Sequence, residues 1–278
     1  MPGATTNAAE SDNGRVPEGD TVWRSCRRLN EVLAGRELTR SEFRVPAFAT
    51  TDLTGVRVLE VTSRGKHQLF RFDNAMTLHT HFRMDGTWRI FGSGRRWSGG
   101  LEHEIRAILA TREHDAVGYR LPVVELLPTA NESDVVGHLG PDLLGPDWDL
   151  QEAIRRISAE PDRTIGEALL DQRNLAGIGT LYRAEILFLQ GIHPRTPVGK
   201  IKNLNRLVHR CQQLMLANRA RPQQSTTGDL RPGRTSYVFD RERQPCRRCG
   251  TPVRSETLGP LGQERRSFWC PHCQPLAG

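Results

Sequence analysis

The sequence has no long apolar stretch. Its 278 residues contain no uninterrupted run of roughly eighteen or more apolar side chains, the length that a membrane-spanning helix needs. Residues 1–15 also lack the basic start and apolar centre of a secretion signal. These absences argue against a helical membrane protein and an exported protein, and we expect a soluble, cytoplasmic protein without a membrane partner.

Cysteine is scarce and unevenly placed. Of six cysteines, four form two Cys-x-x-Cys pairs near the C-terminus, whereas Cys26 and Cys211 stand alone in helical patterns. This distribution is typical of a metal site in a reducing compartment rather than of a disulfide framework. We therefore expect Cys26 and Cys211 to be small core residues, a common position for free cysteine.

Acidic residues are outnumbered. The chain has 39 lysines and arginines against 32 aspartates and glutamates, which gives a formal net charge of +7. This charge is consistent with a polyanionic partner such as nucleic acid, although many basic proteins bind none. The length suits one large domain or two modest ones, with cores that need no disulfides.

The N-terminal half combines one helix with several strands. Apolar or small residues recur at helical spacing from Val22 to Leu33 and stop at Gly35, so a helix is predicted there, with Pro17 and Glu18 just before it. Residues 56–90 alternate in polarity between turn-forming breaks, which predicts short antiparallel strands joined by hairpins. Further strands are expected over 104–109 and 116–127. This pattern indicates a β-sandwich or barrel carrying one long helix.

The second half reads as mostly helical. Glycines and prolines over 140–146 predict an interdomain linker. Residues 164–167 form a capping box that starts a helix running to about residue 171, and a glycine turn at 177–179 leads to a second helix over 181–190. A third helical run covers 204–216. Residues 218–234 are rich in Arg, Pro, Gln and Gly, so we expect a mobile loop there.

The two Cys-x-x-Cys pairs form the strongest local signal. They are separated by twenty residues, a spacing that predicts a four-cysteine structural zinc site. The expected ligands are Cys246, Cys249, Cys270 and Cys273. His272 lies inside the second pair and is not counted as a ligand. Several arginines surround the site, so we expect the zinc to fold a short hairpin that presents them: Arg247, Arg248, Arg254, Arg265 and Arg266.

Four motifs occur together in a distinctive order. They are the Pro17-Glu18-Gly19 helix start, the Gly65-Lys66-His67 strand, the 171–185 segment with its Gly-Ile-Gly turn, and the four-cysteine finger. In this order they closely resemble the formamidopyrimidine-DNA glycosylase and endonuclease VIII family, and the endonuclease VIII branch fits better. The resemblance implies an α+β fold with DNA held between a β-sandwich and a helical domain.

The domain boundaries follow from this resemblance. Residues 17–145 would form the catalytic β-sandwich with its long helix, and 150–235 the helix-two-turn-helix DNA-binding domain. Residues 236–278 would form the zinc finger, and residues 1–16 a leader outside the mature protein. The expected partner is damaged DNA, and a monomer is expected.

The implied reaction is removal of an oxidised base followed by strand cleavage at the abasic site through β,δ-elimination. A terminal α-amine has a pKa of about 7.7 to 8.0, well below the roughly 10.4 of lysine, so far more of it is neutral near physiological pH. The secondary amine of proline also gives a cationic iminium that eases elimination. Pro17 is therefore the expected nucleophile. Glu18 is the natural proton shuttle for ring opening, first as acid and then as base.

Other roles come from the resemblance alone. Lys66 would act as a catalytic cation, and Arg265 would grip the phosphate beside the lesion, with Arg266 as the alternative one register away. His81 would contact a phosphate. Met84 would fill the gap left by the extruded base, the alternative being a core methionine. The DNA-binding turn would be the Gly-Thr pair at 179–180.

Three departures from the family pattern have consequences. Counted from Pro17, the fourth and fifth residues are Asp20 and Thr21, whereas the family usually has at the fifth position a glutamate that bears on base recognition. Thr180 replaces a phosphate-binding asparagine, and it is also a good helix N-cap. Residues 121–125 supply no arginine or phenylalanine wedge, so oxidised pyrimidines are expected as substrates rather than 8-oxoguanine.

Residues 1–16 determine whether Pro17 can act as a nucleophile. With Val16 attached, the Pro17 nitrogen is an amide and no imine can form. We expect translation to begin at codon 16, because a GTG start codon that is read as an ordinary codon gives valine. The initiating residue would then be removed. Pro2 is a rival nucleophile without a following glutamate or helix. The alternatives in function are a non-catalytic DNA damage binder that keeps its N-terminus and a zinc-ribbon accessory protein.

Overall fold

The computed structural model describes residues 17–260, 262 and 264–276. The predicted leader, residues 1–16, lies outside them. The chain divides into two compact units: the first holds Pro17 and residues 25–62 and 67–132, and the second holds 18–24, 63–66 and the chain from 133 onward. Among the described helices, none is long and apolar enough to cross a membrane.

The predicted first helix is confirmed as α1 (Gly19–Leu33). The apolar or small residues that predicted it are at most 2% exposed: Val22, Cys26, Leu29 and Leu33. Gly35 follows the helix with φ of 76°, a left-handed conformation that glycine adopts without strain and that ends the helical path. The first turn of α1 therefore begins immediately after Glu18, as the sequence predicts.

The first unit contains two four-stranded sheets, which confirms the predicted β-sandwich. Their strands are β1 (Arg40–Phe43), β2 (Val58–Arg64), β3 (His67–Phe72), β4 (Met76–His81), β5 (Thr87–Gly92), β6 (Ile105–Ala110), β7 (His114–Tyr119) and β8 (Val123–Pro128). One sheet has the order β1-β6-β7-β5 and the other β2-β3-β4-β8. The alternating residues predicted over 56–90 therefore supply strands to both sheets.

One predicted strand is wrong. The strand expected over 116–127 is two strands, β7 and β8, which belong to different sheets. The chain breaks between them at Arg120, whose φ is 48°, and at Pro122, which has no N–H to donate to a ladder. The four-residue strand β1 was not predicted, because so short a segment carries too little alternation to be recognised.

The second unit contains most of the helices and a hairpin. The helices are α2 (Glu132–Val136), α3 (Leu150–Ser158), α4 (Ile165–Ala168), α5 (Thr180–Gln190) and α6 (Leu204–Asn218), and the hairpin pairs β9 (Arg254–Leu258) with β10 (Arg265–Trp269). A short 3-10 turn occurs in this unit at Val198–Lys200, and three others lie in the first unit, at Pro46–Phe48, Glu102–Glu104 and Thr129–Asn131. The helices α5 and α6 confirm two predicted runs, and Cys211 is buried in their core as expected.

The predicted capping box is only half correct. Thr164 Oγ1 accepts a hydrogen bond from the Glu167 N–H at 3.3 Å, but the Glu167 side chain bonds the Thr164 hydroxyl instead of a backbone N–H. The helix α4 then ends at Ala168, not near Asp171. Asp171 instead folds a local turn, in which its carboxylate accepts from the Arg173 N–H at 3.0 Å.

The glycine and proline cluster at 140–146 is packed rather than an exposed linker. Residues 140–143 are buried. The Ala176 N–H donates to the Pro141 carbonyl at 2.9 Å, and the Gly140 N–H donates to the Gln172 carbonyl at 2.9 Å. Backbone pairing with the 172–176 segment therefore replaces the solvent contacts that the composition suggested.

Candidate active site and metal centre

The side chain of Glu18 lies at the N-terminus of α5. Its carboxylate accepts the N–H of Gly179 and that of Leu181, each at 2.7 Å, and the N–H of Tyr182 at 3.4 Å. Gly179 is the N-cap of α5 and has no side chain to bind these groups. A helix N-terminus carries unpaired N–H donors and a partial positive charge, so it holds an anion well.

Gly179 is required by this arrangement. A Cβ at position 179 would lie 2.5 Å from Glu18 Cδ and 2.7 Å from Glu18 Oε1, well inside normal contact distance. The backbone of Gly179 is extended, with φ of −133°, so its conformation does not itself demand glycine. Space for the carboxylate is what demands it.

Burial gives Glu18 an unusual proton affinity. The residue is 1% exposed, and burial raises its pKa to about 7 against the opposing charge of Lys66, with a further upward contribution from Asp20. Burial also lowers the pKa of Lys66, while the negative charge of Glu18 raises it. A carboxyl group that holds a proton near neutral pH can serve as a general acid and, once ionised, as a base.

The backbone beside Lys66 is held by Asp142. The Gly65 N–H donates to Asp142 Oδ2 at 2.8 Å, and the Leu144 N–H donates to Asp142 Oδ1 at 3.0 Å. Gly65 has φ of 58°, and Asp142 is 2% exposed. Asp142 was missed by the sequence reasoning, which had assigned it to a linker. An aspartate inside a glycine and proline cluster is the one signal that could have indicated it.

Pro17 is buried and lies two residues before the first residue of α1. The start of the helix is fixed by the Gly19 N–H, which donates to the Gly177 carbonyl at 2.8 Å. Gly177 has φ of 106°, which favours glycine in this turn. The nitrogen of Pro17 is bonded to Val16, a residue outside the described part of the chain.

A second buried carboxylate, Asp20, lies two residues beyond Glu18. It is 0% exposed and accepts hydrogen bonds from Tyr182 Oη and Gln224 Nε2, both at 2.7 Å. Neither donor was predicted. Gln224 belongs to the 218–234 segment, which contains no regular structure after the end of α6, but Gln224 and Ser225 are buried. The segment is therefore anchored at its centre rather than loose along its whole length.

Thr180 is the first residue of α5 and is half-buried. The suggestion that it caps this helix is wrong, because Gly179 occupies the N-cap position. The Glu18 carboxylate supplies the acceptor that a capping side chain would have supplied. The phosphate contact expected of Gly179 and Thr180 stays a prediction.

Met84 and His81 lie where the first unit passes from β4 to β5. Met84 is 67% exposed, so it is not a core methionine. The loop is tight: Arg83 has φ of 48°, its N–H donates to His81 Nδ1 at 2.8 Å, and the Gly86 N–H donates to the Phe82 carbonyl at 3.0 Å. The loop thus presents an apolar side chain to solvent.

The four predicted cysteine ligands come together. Their four Sγ atoms all lie within 4.8 Å of one another. The Sγ atoms of Cys246 and Cys273 are 4.0 Å apart, and those of Cys249 and Cys270 are 3.4 Å apart. Tetrahedral zinc with bonds of about 2.3 Å separates its sulfur ligands by about 3.8 Å, so this donor set fits zinc. His272 is not in the cluster, as expected.

The two arginines at the start of β10 differ in their surroundings. Arg266 donates to Glu242 Oε2 at 3.0 Å, and its guanidinium lies over the Phe268 ring. Burial lowers the pKa of Lys66, and the positive charge of Arg265 makes a smaller contribution in the same direction.

Comparisons with known proteins agree with this geometry. The family described as "Formamidopyrimidine-DNA glycosylase N-terminal domain" matches residues 16–121, and the "Formamidopyrimidine-DNA glycosylase H2TH domain" matches residues 139–228. "Probable endonuclease 8 2" of Streptomyces coelicolor is 55% identical over 261 residues, covering 93% of this chain and 94% of that protein. "DNA-(apurinic or apyrimidinic site) lyase Nei2" of Mycolicibacterium smegmatis is 43% identical, covering 93% and 99%.

A solved structure shares the fold. The Lactococcus lactis formamidopyrimidine-DNA glycosylase, crystallised non-covalently bound to DNA containing an abasic site, has a TM-score of 0.77 at 21% identity. The match covers 93% of this chain and 99% of that one. At this identity the likeness concerns the fold.

Proposed function

The chain belongs to the formamidopyrimidine-DNA glycosylase and endonuclease 8 family, and we propose that it is a DNA glycosylase and abasic-site lyase of base-excision repair that uses Pro17 as its nucleophile. The observation that carries the chemistry is the buried Glu18 carboxyl, bound to the N-terminus of α5 and holding a proton near neutral pH. The family predicted from the motifs is confirmed.

The reaction begins at C1′ of the damaged nucleotide. The imino nitrogen of Pro17 bonds to C1′ and loses its proton, and the base departs with the electron pair of its bond to C1′ and takes up a proton. The C1′–O4′ bond then opens as O4′ takes a proton from Glu18. The resulting iminium is positively charged and acidifies the C2′ hydrogen. The Glu18 carboxylate removes that hydrogen, the 3′ phosphate leaves, and a second elimination releases the 5′ side.

This chemistry requires a free nitrogen on Pro17. The proposal therefore includes the absence of residues 1–16 from the active protein. An amide nitrogen has its lone pair delocalised into the carbonyl group and cannot form an iminium. Domain boundaries at 17–145, 150–235 and 236–278 belong to the same proposal.

Two cations would assist. Lys66 lies at the turn held by Asp142. The positive charge of Lys66 lowers the pKa of Glu18, whereas burial raises it. We assign it the role of a cation acting on the leaving base and phosphate. Arg265 is proposed to grip the phosphate beside the lesion in preference to Arg266, because Arg266 is paired with Glu242.

Damaged DNA is the proposed partner. Met84 would fill the gap left in the stack by the extruded base, which its 67% exposure supports. His81 and the Gly179-Thr180 turn would contact phosphates. Oxidised pyrimidines are the proposed substrates, since residues 121–125 supply no arginine or phenylalanine wedge. The monomeric state and the cytoplasmic location stay predictions.

Zinc is the metal proposed for the four cysteines. Their sulfur atoms form a closed donor set with no place for a reacting group, so the metal would have a structural role. When bound, it would hold the base of the hairpin formed by β9 and β10. Arg265 is the first residue of β10 and so belongs to this hairpin.

Borohydride trapping tests the proposal. A chain that begins at Pro17, incubated with abasic duplex DNA and borohydride, should form a covalent complex, because the reductant fixes the iminium. Pro17→Gly should weaken trapping, and Pro146→Gly, a change at an exposed proline, should leave it intact. Mass spectrometry of the native N-terminus should find Pro17. Failure of the Pro17 chain to trap at all would overturn the proposed mechanism.

The two alternative functions have less support than the glycosylase and lyase. Relatives named as endonuclease 8 and as an abasic-site lyase do not favour a non-catalytic DNA damage binder. A native protein that retains residues 1–16 would return that alternative to first place. The zinc-ribbon accessory protein is wrong, because the family matches extend over 16–121 and 139–228, far outside the cysteine cluster.

A further inference from the structure

Asp20 is a carboxylate with a hydrogen-bond donor on each oxygen. Tyr182 Oη donates to Oδ2, and Gln224 Nε2 donates to Oδ1. The residue is fully buried, so these contacts replace the water that would otherwise solvate a charge. Burial raises the pKa of Asp20, and the hydrogen bonds from Tyr182 and Gln224 act in the opposite direction by stabilising the ionised form.

Both donors are fixed in place by other contacts. Tyr182 is 0% exposed, and its own N–H points to Glu18. Burial and the charge of Asp20 raise its pKa well above the usual value, so its hydroxyl stays a donor. Gln224 is adjacent to Ser225, whose N–H donates to Asn218 Oδ1 at 2.8 Å. Asp20 is thus clamped between α5 and the 218–234 segment.

We propose that Asp20 is a positioning residue for the lyase reaction: its fixed negative charge strengthens the hold of Glu18 on the proton that is given to O4′. This inference rests on the proposed function. The proton passes from the Glu18 carboxyl to O4′ while the electron pair of the C1′–O4′ bond moves onto that oxygen. Glu18 is left as the carboxylate that later removes the C2′ hydrogen.

The charges facing the two carboxyls give this effect its sign. At Glu18, burial raises the pKa, Lys66 lowers it and Asp20 raises it. Glu18 also acts on the buried guanidinium of Arg183, a neighbouring cation, and on Tyr182. At Asp20 the cations are Arg24 and Lys66. The charge of Asp20 therefore adds to the effect of burial, which raises the pKa of Glu18, and acts against the charge of Lys66, which lowers it.

The pH dependence of cleavage tests the inference. Single-turnover cleavage of abasic duplex DNA by the active protein should slow on the alkaline side as Glu18 loses its proton. Asp20→Asn and Asp20→Ser should both move that alkaline limb to lower pH by about one unit, as expected for loss of one nearby charge in a protein interior. Asp134→Asn removes an exposed carboxylate and serves as the matched control, with no movement expected.

A second measurement is independent of activity. NMR titration of the Glu18 side-chain carboxyl, without DNA, should show the same downward movement of its midpoint in both Asp20 variants. A purely structural role would lower the rate at every pH and leave both midpoints in place.

The outcomes separate the two proposals. If the unaltered protein cleaves no abasic DNA, the proposed function fails, and the titration still tests Asp20. If the unaltered protein cleaves, and folded Asp20 variants keep both the alkaline limb and the Glu18 midpoint unchanged, the inference is overturned.

Discussion

Replacing Gly179 by alanine should displace the carboxyl of Glu18. The added Cβ would lie 2.5 Å from Glu18 Cδ, whereas ordinary contacts are 3.4–4 Å, so one group must move by about 1 Å. The backbone at 179 is extended and suits alanine, which leaves the carboxyl as the group that yields. A shift of about 1 Å would stretch the two 2.7 Å bonds from Gly179 and Leu181 beyond hydrogen-bonding range.

The consequence should appear in the chemical step. General acid catalysis contributes about 10²- to 10⁴-fold to a rate, and a misplacement of about 1 Å costs about 10²-fold, so cleavage should fall by about 10²-fold or more. Losing two hydrogen bonds to a charged group would also cost about 3–6 kcal/mol of stability if nothing replaced them, and water entering beside the carboxyl would reduce that cost.

The assay is single-turnover cleavage of abasic duplex DNA, with DNA affinity and the thermal midpoint measured in parallel. Gly92→Ala is the matched control, because a Cβ there meets only Arg95 Cγ at 3.6 Å. It should cleave at the normal rate. A Gly179→Ala protein that cleaves as fast as the control would refute the assignment of Glu18 as the acid held at this helix end.

Three further predictions concern stability, base extrusion and the metal. The pKa of Glu18 is about 7 in the folded chain against an ordinary 4.5. Between these two pH values the folded chain binds more protons than the unfolded chain, so the contribution of Glu18 to the free energy of unfolding falls as the pH rises. Glu18→Gln should therefore gain about 3 kcal/mol over the parent between about pH 4.5 and pH 8 in denaturant titrations, and a pH-independent difference would contradict this. Met84→Ala should keep the thermal midpoint of the parent but cleave lesions in duplex DNA about tenfold more slowly, because an exposed Met84 side chain would stabilise the DNA with its base extruded and not the protein fold. Equal rates of the variant and the parent on duplex DNA would contradict this role of Met84. A strong chelator should remove one zinc per chain and abolish DNA binding until zinc is restored, and purified protein without zinc would disprove the metal assignment.

Residues close together in the sequence determined much of this protein. The helical spacing that ends at Gly35 predicted α1, and the glycines flanking 180–190 predicted both ends of α5. The Cys-x-x-Cys pairs predicted the metal cluster, because each pair spans a single turn. Such features depend on neighbours within a few positions, so no knowledge of the fold is needed to see them.

Local patterns failed in two places. The capping box at 164–167 predicted a helix to about residue 171, but α4 ends at Ala168, because Asp171 accepts hydrogen bonds from Arg163 and from the Arg173 N–H in a local turn. The cluster at 140–146 suggested a linker, because composition does not reveal that Gly140 and Pro141 find backbone partners in the 172–176 segment.

The tertiary structure alone decided how the candidate site is assembled. Gly179 receives the carboxyl of a residue 161 positions away, and Asp20 accepts from Gln224 across 204 positions. The same holds for Asp142, which secures the turn before Lys66. A hydrogen bond between distant segments exists only when the whole chain brings its donor and acceptor together, so the residues that tune Glu18 leave no local pattern in the sequence.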